Sequence, residues 1–81
     1  MFEYVFTPET KSGTVDTTGF CDNFNEITQE ILLDNPECIQ KRSTYPNGFI
    51  LETEQYADKI IIRTNWELFD NGDGTFSVLQ P

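Results

Sequence analysis

The sequence predicts an α+β domain: one amphipathic helix packed on an antiparallel sheet of about four to five strands, in the order β-α-β-β-β-β. Three observations predict it. Segments 2–7, 38–45, 49–54, 59–69 and 75–79 are rich in β-branched and aromatic residues and are separated by turn chemistry. Residues 20–34 carry the one helical period in the chain. The 81 residues include seven Phe, three Tyr and one Trp. Aromatic side chains bury about 150–250 Å² each, so they build a core even where hydrophobic content is only 37%. The length sets one domain over residues 1–81, and no internal repeat is visible.

The first strand, 2–7, alternates Phe2, Tyr4 and Phe6 with Glu3, Val5 and Thr7. Pro8 ends it or confines it to an edge. Residues 8–19 are polar and small, a long loop that is mobile or a binding loop, with a loose hairpin around Ser12-Gly13. In 20–34, Phe20, Phe24, Ile27 and Ile31 share one helical face. The helix starts either at residue 18, capped by Thr17 or Thr18, or at a capping box made by Asn23 and Glu26. Asn35-Pro36 stops it, because the residue before proline avoids αR.

The remaining strands follow as hairpins. Pro46-Asn47-Gly48 is a turn. In 59–69, Ile60, Ile62, Thr64, Trp66 and Leu68 share the buried face, with Trp66 in the core. Asp70-Asn71-Gly72-Asp73-Gly74 is a hairpin turn. Its carboxylates stop short of the twelve-residue pattern a calcium loop needs. Leu68 facing Phe76 and Trp66 facing Val78 bring the apolar sides together. The second face of the sheet is expected to be polar and solvated, with Ile61 and Phe69 as apolar exceptions on it.

Charge narrows the function. Asp and Glu number 14 against five Lys and Arg, there is no His, and the formal charge is −9. Direct binding to nucleic acid is disfavoured, since that needs clustered cations. An anionic membrane surface is disfavoured for the same reason. No apolar run approaches the length of a membrane span, and the N-terminus lacks the pattern of a signal peptide. Without His, the usual nucleophilic triads and imidazole metal sites are absent. Acidic neighbours make Cys21 a poor nucleophile. No enzyme activity, cofactor or metal is expected. Helical geometry keeps Cys21 and Cys38 too far apart for a disulfide unless the chain reverses completely after Asn35. Reduced thiols and no export signal point to the cytoplasm.

The candidate site is anionic. On a helix, Asp22, Glu26, Glu30 and Asp34 recur every four residues, drifting only about 40° per step and spaced about 6 Å along the axis. Like charges at this spacing oppose each other, and no Lys or Arg lies between residues 12 and 40 to offset them. Glu52 and Glu54 share one strand face, with Asp58 and Glu67 nearby, as a second acidic group. Tyr45 and Tyr56 flank turns and are candidate contact residues. The expected function is that of a small acidic inhibitor. It would occupy the basic, nucleic-acid-binding surface of a partner protein, with carboxylates standing in for phosphates. Size and acidity of this kind are common among phage-encoded inhibitors, an analogy that carries no residues across. The alternative is a structural or oligomerisation module whose acidity serves solubility. It would assemble, as a homodimer for instance, through the Ile61/Phe69 face or an edge strand such as 2–7.

Overall fold

Extended backbone dominates the computed structural model, which describes residues 1–7 and 13–81. The elements are β1 (Phe2–Phe6), β2 (Thr14–Asp16), a 3₁₀ turn (Phe24–Glu26), β3 (Thr28–Asp34), β4 (Ile39–Thr44), β5 (Ile50–Gln55), β6 (Ile60–Thr64), β7 (Leu68–Asp70) and β8 (Thr75–Val78). Strands β1-β6-β5-β4-β3 form an antiparallel sheet in that spatial order, and β2-β8-β7 form a second, smaller one. The predicted α+β class is therefore corrected to a two-sheet β fold. Of the predicted loop 8–19, residues 8–12 lie outside the described residues. Residues 14–16 form β2, paired parallel to β8 through Val15 opposite Phe76.

The predicted helix over 20–34 is not formed. Its start signal is real but stays local. Asn23 Oδ1 accepts the Asn25 N–H at 3.0 Å, and Ile27 N–H closes a single tight turn on the Phe24 carbonyl. Ile27 is already extended, at φ −89° and ψ 122°. Residues 28–34 then pair with β4. The physical reason is that a helix this short depends on burying an apolar face. Here Phe20 is buried, but Phe24 is 88% exposed and Ile31 66%. Like charges every four residues oppose the helix further. Asn35-Pro36 ends the segment as expected, but as a hairpin turn: Asn35 and Cys38 exchange backbone hydrogen bonds of 3.1 and 3.3 Å.

The predicted strand 59–69 is also divided. It bends over residues 65–67, so β6 belongs to the large sheet and β7 to the small one. The Thr64 hydroxyl, fully buried, holds the bend by donating to the Trp66 carbonyl at 2.6 Å. Ile61 and Phe69 therefore lie on different sheets and do not form one face. The β7–β8 register places Leu68 opposite Val78 and Asp70 opposite Phe76. That is two residues from the predicted register and keeps the same parity, so the apolar sides still meet.

The core lies between the small sheet and the β1-β6-β5 half of the large one. Phe20, Phe49, Leu68 and Phe76 are its centre, flanked by Tyr4, Phe6, Val15, Leu51, Trp66 and Val78. Phe49, fully buried, holds Phe20, Tyr45 and Trp66 at ring-centroid distances of 5.4, 5.5 and 5.6 Å. The Tyr4 hydroxyl ties the two sheets by accepting the Leu68 N–H at 2.8 Å. No β3 side chain joins this core, and every β3 residue is exposed.

Candidate binding edge

The predicted acidic ridge required a helix, and an extended chain distributes the same residues differently. Asp22 precedes the 3₁₀ turn and Glu26 ends it, and the Glu26 carboxylate accepts the Asp22 N–H at 3.2 Å. Glu30 lies on β3 opposite Arg42, and Asp34 opposite Ile39. A β-bulge falls between them, at Leu32. The extra residue reverses the alternation, so Glu30 and Asp34 lie on opposite faces of the sheet, about 13 Å apart along the strand. The four carboxylates are all exposed and lie in one stretch of sequence, but they share neither one face nor one line. Glu37, exposed in the β3–β4 turn, joins them. Sequence reading missed it, although it lies in the same cation-free stretch.

The second acidic group behaves otherwise. Cross-strand register sets Glu3, Arg63, Glu52, Arg42 and Glu30 side by side across all five strands, with alternating sign. Arg42 pairs with Glu52 at 2.7 Å. Arg63 pairs with Glu3 at 2.8 Å and with Glu54 at 2.7 Å. Glu54 is buried and also accepts from Gln40 at 2.9 Å and from the Tyr56 hydroxyl. These donors, Tyr56 first and then Arg63 and Gln40, hold its carboxyl down at about 2. The same contact, with Cys38 beside it, raises the Tyr56 hydroxyl above its ordinary value. Glu52 and Glu54 are thus engaged by Arg42 and Arg63 within the sheet rather than forming a free acidic rim. Asp58 and Glu67 are exposed.

The tyrosines are also engaged. Tyr45 packs edge-on against Phe20 at 5.9 Å. Tyr56 is half-buried, with the Lys59 ammonium over its ring at 5.1 Å.

Charge compensation is therefore uneven. Among the described residues, the ion pairs use Arg42, Arg63, Glu3, Glu52 and Glu54. None reaches Asp22, Glu26, Glu30, Asp34 or Glu37. Beside these carboxylates, Ile31, Leu32 and Leu33 are 66%, 42% and 40% exposed. A shallow groove runs along the β3–β4 junction, lined by Gln29, Ile31, Lys41, Ser43, Leu51 and Thr53. Sequence reading placed Ile31 on a buried helix face. The signal for an edge strand was the aliphatic run Ile31-Leu32-Leu33 after β-branched Ile27 and Thr28.

Cys21 and Cys38 are free thiols. Among the described residues, no group of three or more Cys, Asp and Glu is arranged to hold a metal ion. Asp70 and Asp73 cap the β7–β8 turn, accepting the N–H groups of Gly72 at 2.8 Å and Thr75 at 3.1 Å. Among the described residues, no helix is long and apolar enough to cross a membrane. Comparison with protein-family models, curated proteins and solved structures finds no match to this chain.

Proposed function

We propose that this protein acts by binding another protein at a basic surface, using the anionic stretch 22–37. The observation that carries the reading is uneven compensation. Arg42 and Arg63 pair with Glu3, Glu52 and Glu54, whereas Asp22, Glu26, Glu30, Asp34 and Glu37 have no ion-pair partner among the described residues. Asp16, Asp58, Glu67, Asp70 and Asp73 also lie outside these ion pairs, but they are scattered along the chain, whereas 22–37 has no Lys or Arg within it. A surface that normally holds nucleic acid supplies the missing Lys and Arg, and an anionic protein seated there excludes phosphate. The exclusion works through charge and not through phosphate-like spacing, since Glu30 and Asp34 lie on opposite faces. Ile31, Leu32 and Leu33 supply the dry centre that carboxylates alone lack. The reading needs no catalytic step, and two free thiols suit a cytoplasmic setting.

The test is binding to purified basic nucleic-acid-binding proteins at rising salt, with Glu26→Lys/Glu30→Lys as a double charge reversal. Binding should weaken about tenfold or more in the variant at low salt, and the difference should shrink as salt screens it. Affinity indifferent to both salt and charge reversal overturns the reading.

A second reading, self-assembly, is favoured by one observation: the same exposed aliphatic run on an edge with no partner strand among the described residues. A formal charge of −9 on each copy opposes it. Under this reading, sedimentation finds an oligomer that becomes more stable as salt rises.

A further inference from the structure

We infer that the partner binds by strand addition: a basic extended segment of another protein pairs with the free edge of β3 and carries the charge ladder one strand further. The inference rests on the protein-binding reading above and adds the mode, the polarity of the surface and the side chain that must lie opposite Glu30.

Three observations converge on β3. The first is the backbone. β3 is the outermost strand of the large sheet, with β4 on one side and, among the described residues, no strand on the other. Antiparallel ladders alternate bonded and non-bonded pairs. Asn35 and Cys38 form a bonded pair at one end of the β3–β4 hairpin. Counting from there through the bulge makes Leu33–Gln40 and Glu30–Arg42 the bonded pairs. The other end of β4 agrees. The Tyr45 N–H donates to the Phe49 carbonyl at 2.9 Å, which turns the backbone of Gln40, Arg42 and Thr44 towards β3. Gln29 and Ile31 therefore direct their N–H and C=O groups away from the sheet, as a template for another strand.

The second observation is the ladder. Across the outer face the sign alternates Glu3, Arg63, Glu52, Arg42, Glu30. Arg42 spends its guanidinium on Glu52, at 2.7 Å, and Glu30 has no ion-pair partner among the described residues. The row ends at the open edge on an anion. The next strand in register completes it with Lys or Arg opposite Glu30. On the other face, neighbouring positions of that strand meet Ile31 and the groove beside Lys41 and Leu51. The fitting ligand thus alternates basic and apolar residues.

The third observation decides against a second copy of this chain as the occupant. Pairing β3 with β3 brings together two stretches that contain no Lys or Arg. It has no cation to set against Glu30 and adds the repulsion of two chains at −9 each. The opposite edge, β1, offers Glu3, which is again an anion.

The experiment titrates the full chain with a short peptide alternating Lys and Val, and with a Glu/Val peptide of the same length. Binding is followed by calorimetry and by amide hydrogen exchange, in the wild type and in Glu30→Gln and Ile31→Pro. Proline at 31 removes an outward N–H and leaves the β4-facing bonds in place. The Lys/Val peptide is expected to bind and the Glu/Val peptide to fail. Bound peptide slows exchange of the Gln29 and Ile31 amides, and each variant weakens binding by about tenfold. If Ile31→Pro does not fold, exchange at Gln29 and Ile31 in the wild type decides alone. Salt-sensitive binding with those amides unprotected overturns strand addition and leaves the anionic reading standing. Equal binding of the two peptides, or none, overturns both. A dimer held through β3 in sedimentation overturns the choice of occupant.

Discussion

Phe49 and Phe24 mark the extremes of what one aromatic does in this chain. Phe49 is fully enclosed and touches three rings, so Phe49→Ala should cost about 3–5 kcal/mol in urea denaturation. Phe24, 88% exposed, should change stability by only about 0.5 kcal/mol or less when replaced by Ala. A helix burying Phe24 beside Phe20 would make that second change costly. Gly13 is constrained by what it touches. A Cβ there would lie 2.2 Å from Phe76 Cε2 and 2.9 Å from the Gly74 carbonyl oxygen. Gly13→Ala should therefore destabilise by about 1–3 kcal/mol, read from the shift of the denaturation midpoint. Glu54 contributes a pH dependence. Its carboxyl is held at about 2 by Tyr56, Arg63 and Gln40, against an ordinary 4.5. A depressed carboxyl stabilises the fold above its ordinary value and loses that contribution as pH falls through the interval from 4.5 to about 2. Acid titration of stability should show that loss, and Glu54→Gln should flatten it.

At the scale of elements, what the sequence disclosed depended on whether the signal was local. Strands β1, β4, β5 and β8 were legible from alternation and turn chemistry, which act over a few residues. Gly48, at φ 95°, terminates the Pro46-Asn47-Gly48 turn as its chemistry requires. Residues 20–34 carry a helical period but form no helix, because four apolar positions at helical spacing describe a helix only if something covers them. Nothing in the local sequence records that Phe24 and Ile31 stay in solvent. The backbone hydrogen bonds of the β3–β4 hairpin, closed by the Asn35–Cys38 turn, outweighed a weak helical period. The bend after Thr64 was hidden for a similar reason. Alternation runs unbroken from Ile60 to Leu68, and only the second sheet requires the turn. Of the candidate site, acidity and the absence of cations in 12–40 were legible. Its shape was not, because cross-strand pairing decides which carboxylates are neutralised. Glu52 and Glu54 proved engaged by Arg42 and Arg63 for the same reason. Asn23→Ala separates the two readings of this segment. It should cost little, since Asn23 caps one 3₁₀ turn; a true helix would lose about 1 kcal/mol, measured by denaturation.

For the whole molecule, the core and the β3 edge are separate. The core occupies the β1-β6-β5 half beneath the small sheet, and β3, exposed along its length, forms the far edge of the large sheet, where Glu30 and Asp34 have no ion-pair partner among the described residues. Disturbing that edge should therefore leave global stability nearly intact while changing association. The most direct measurement is the pattern of nuclear Overhauser effects over residues 20–37. Cross-strand Hα–Hα contacts between Gln29 and Ser43, and between Asp34 and Ile39, are expected, because these are the close pairs of the β3–β4 ladder. Sequential helical contacts running three and four residues apart through 23–34 would contradict it, since they would restore the helix and remove the open edge.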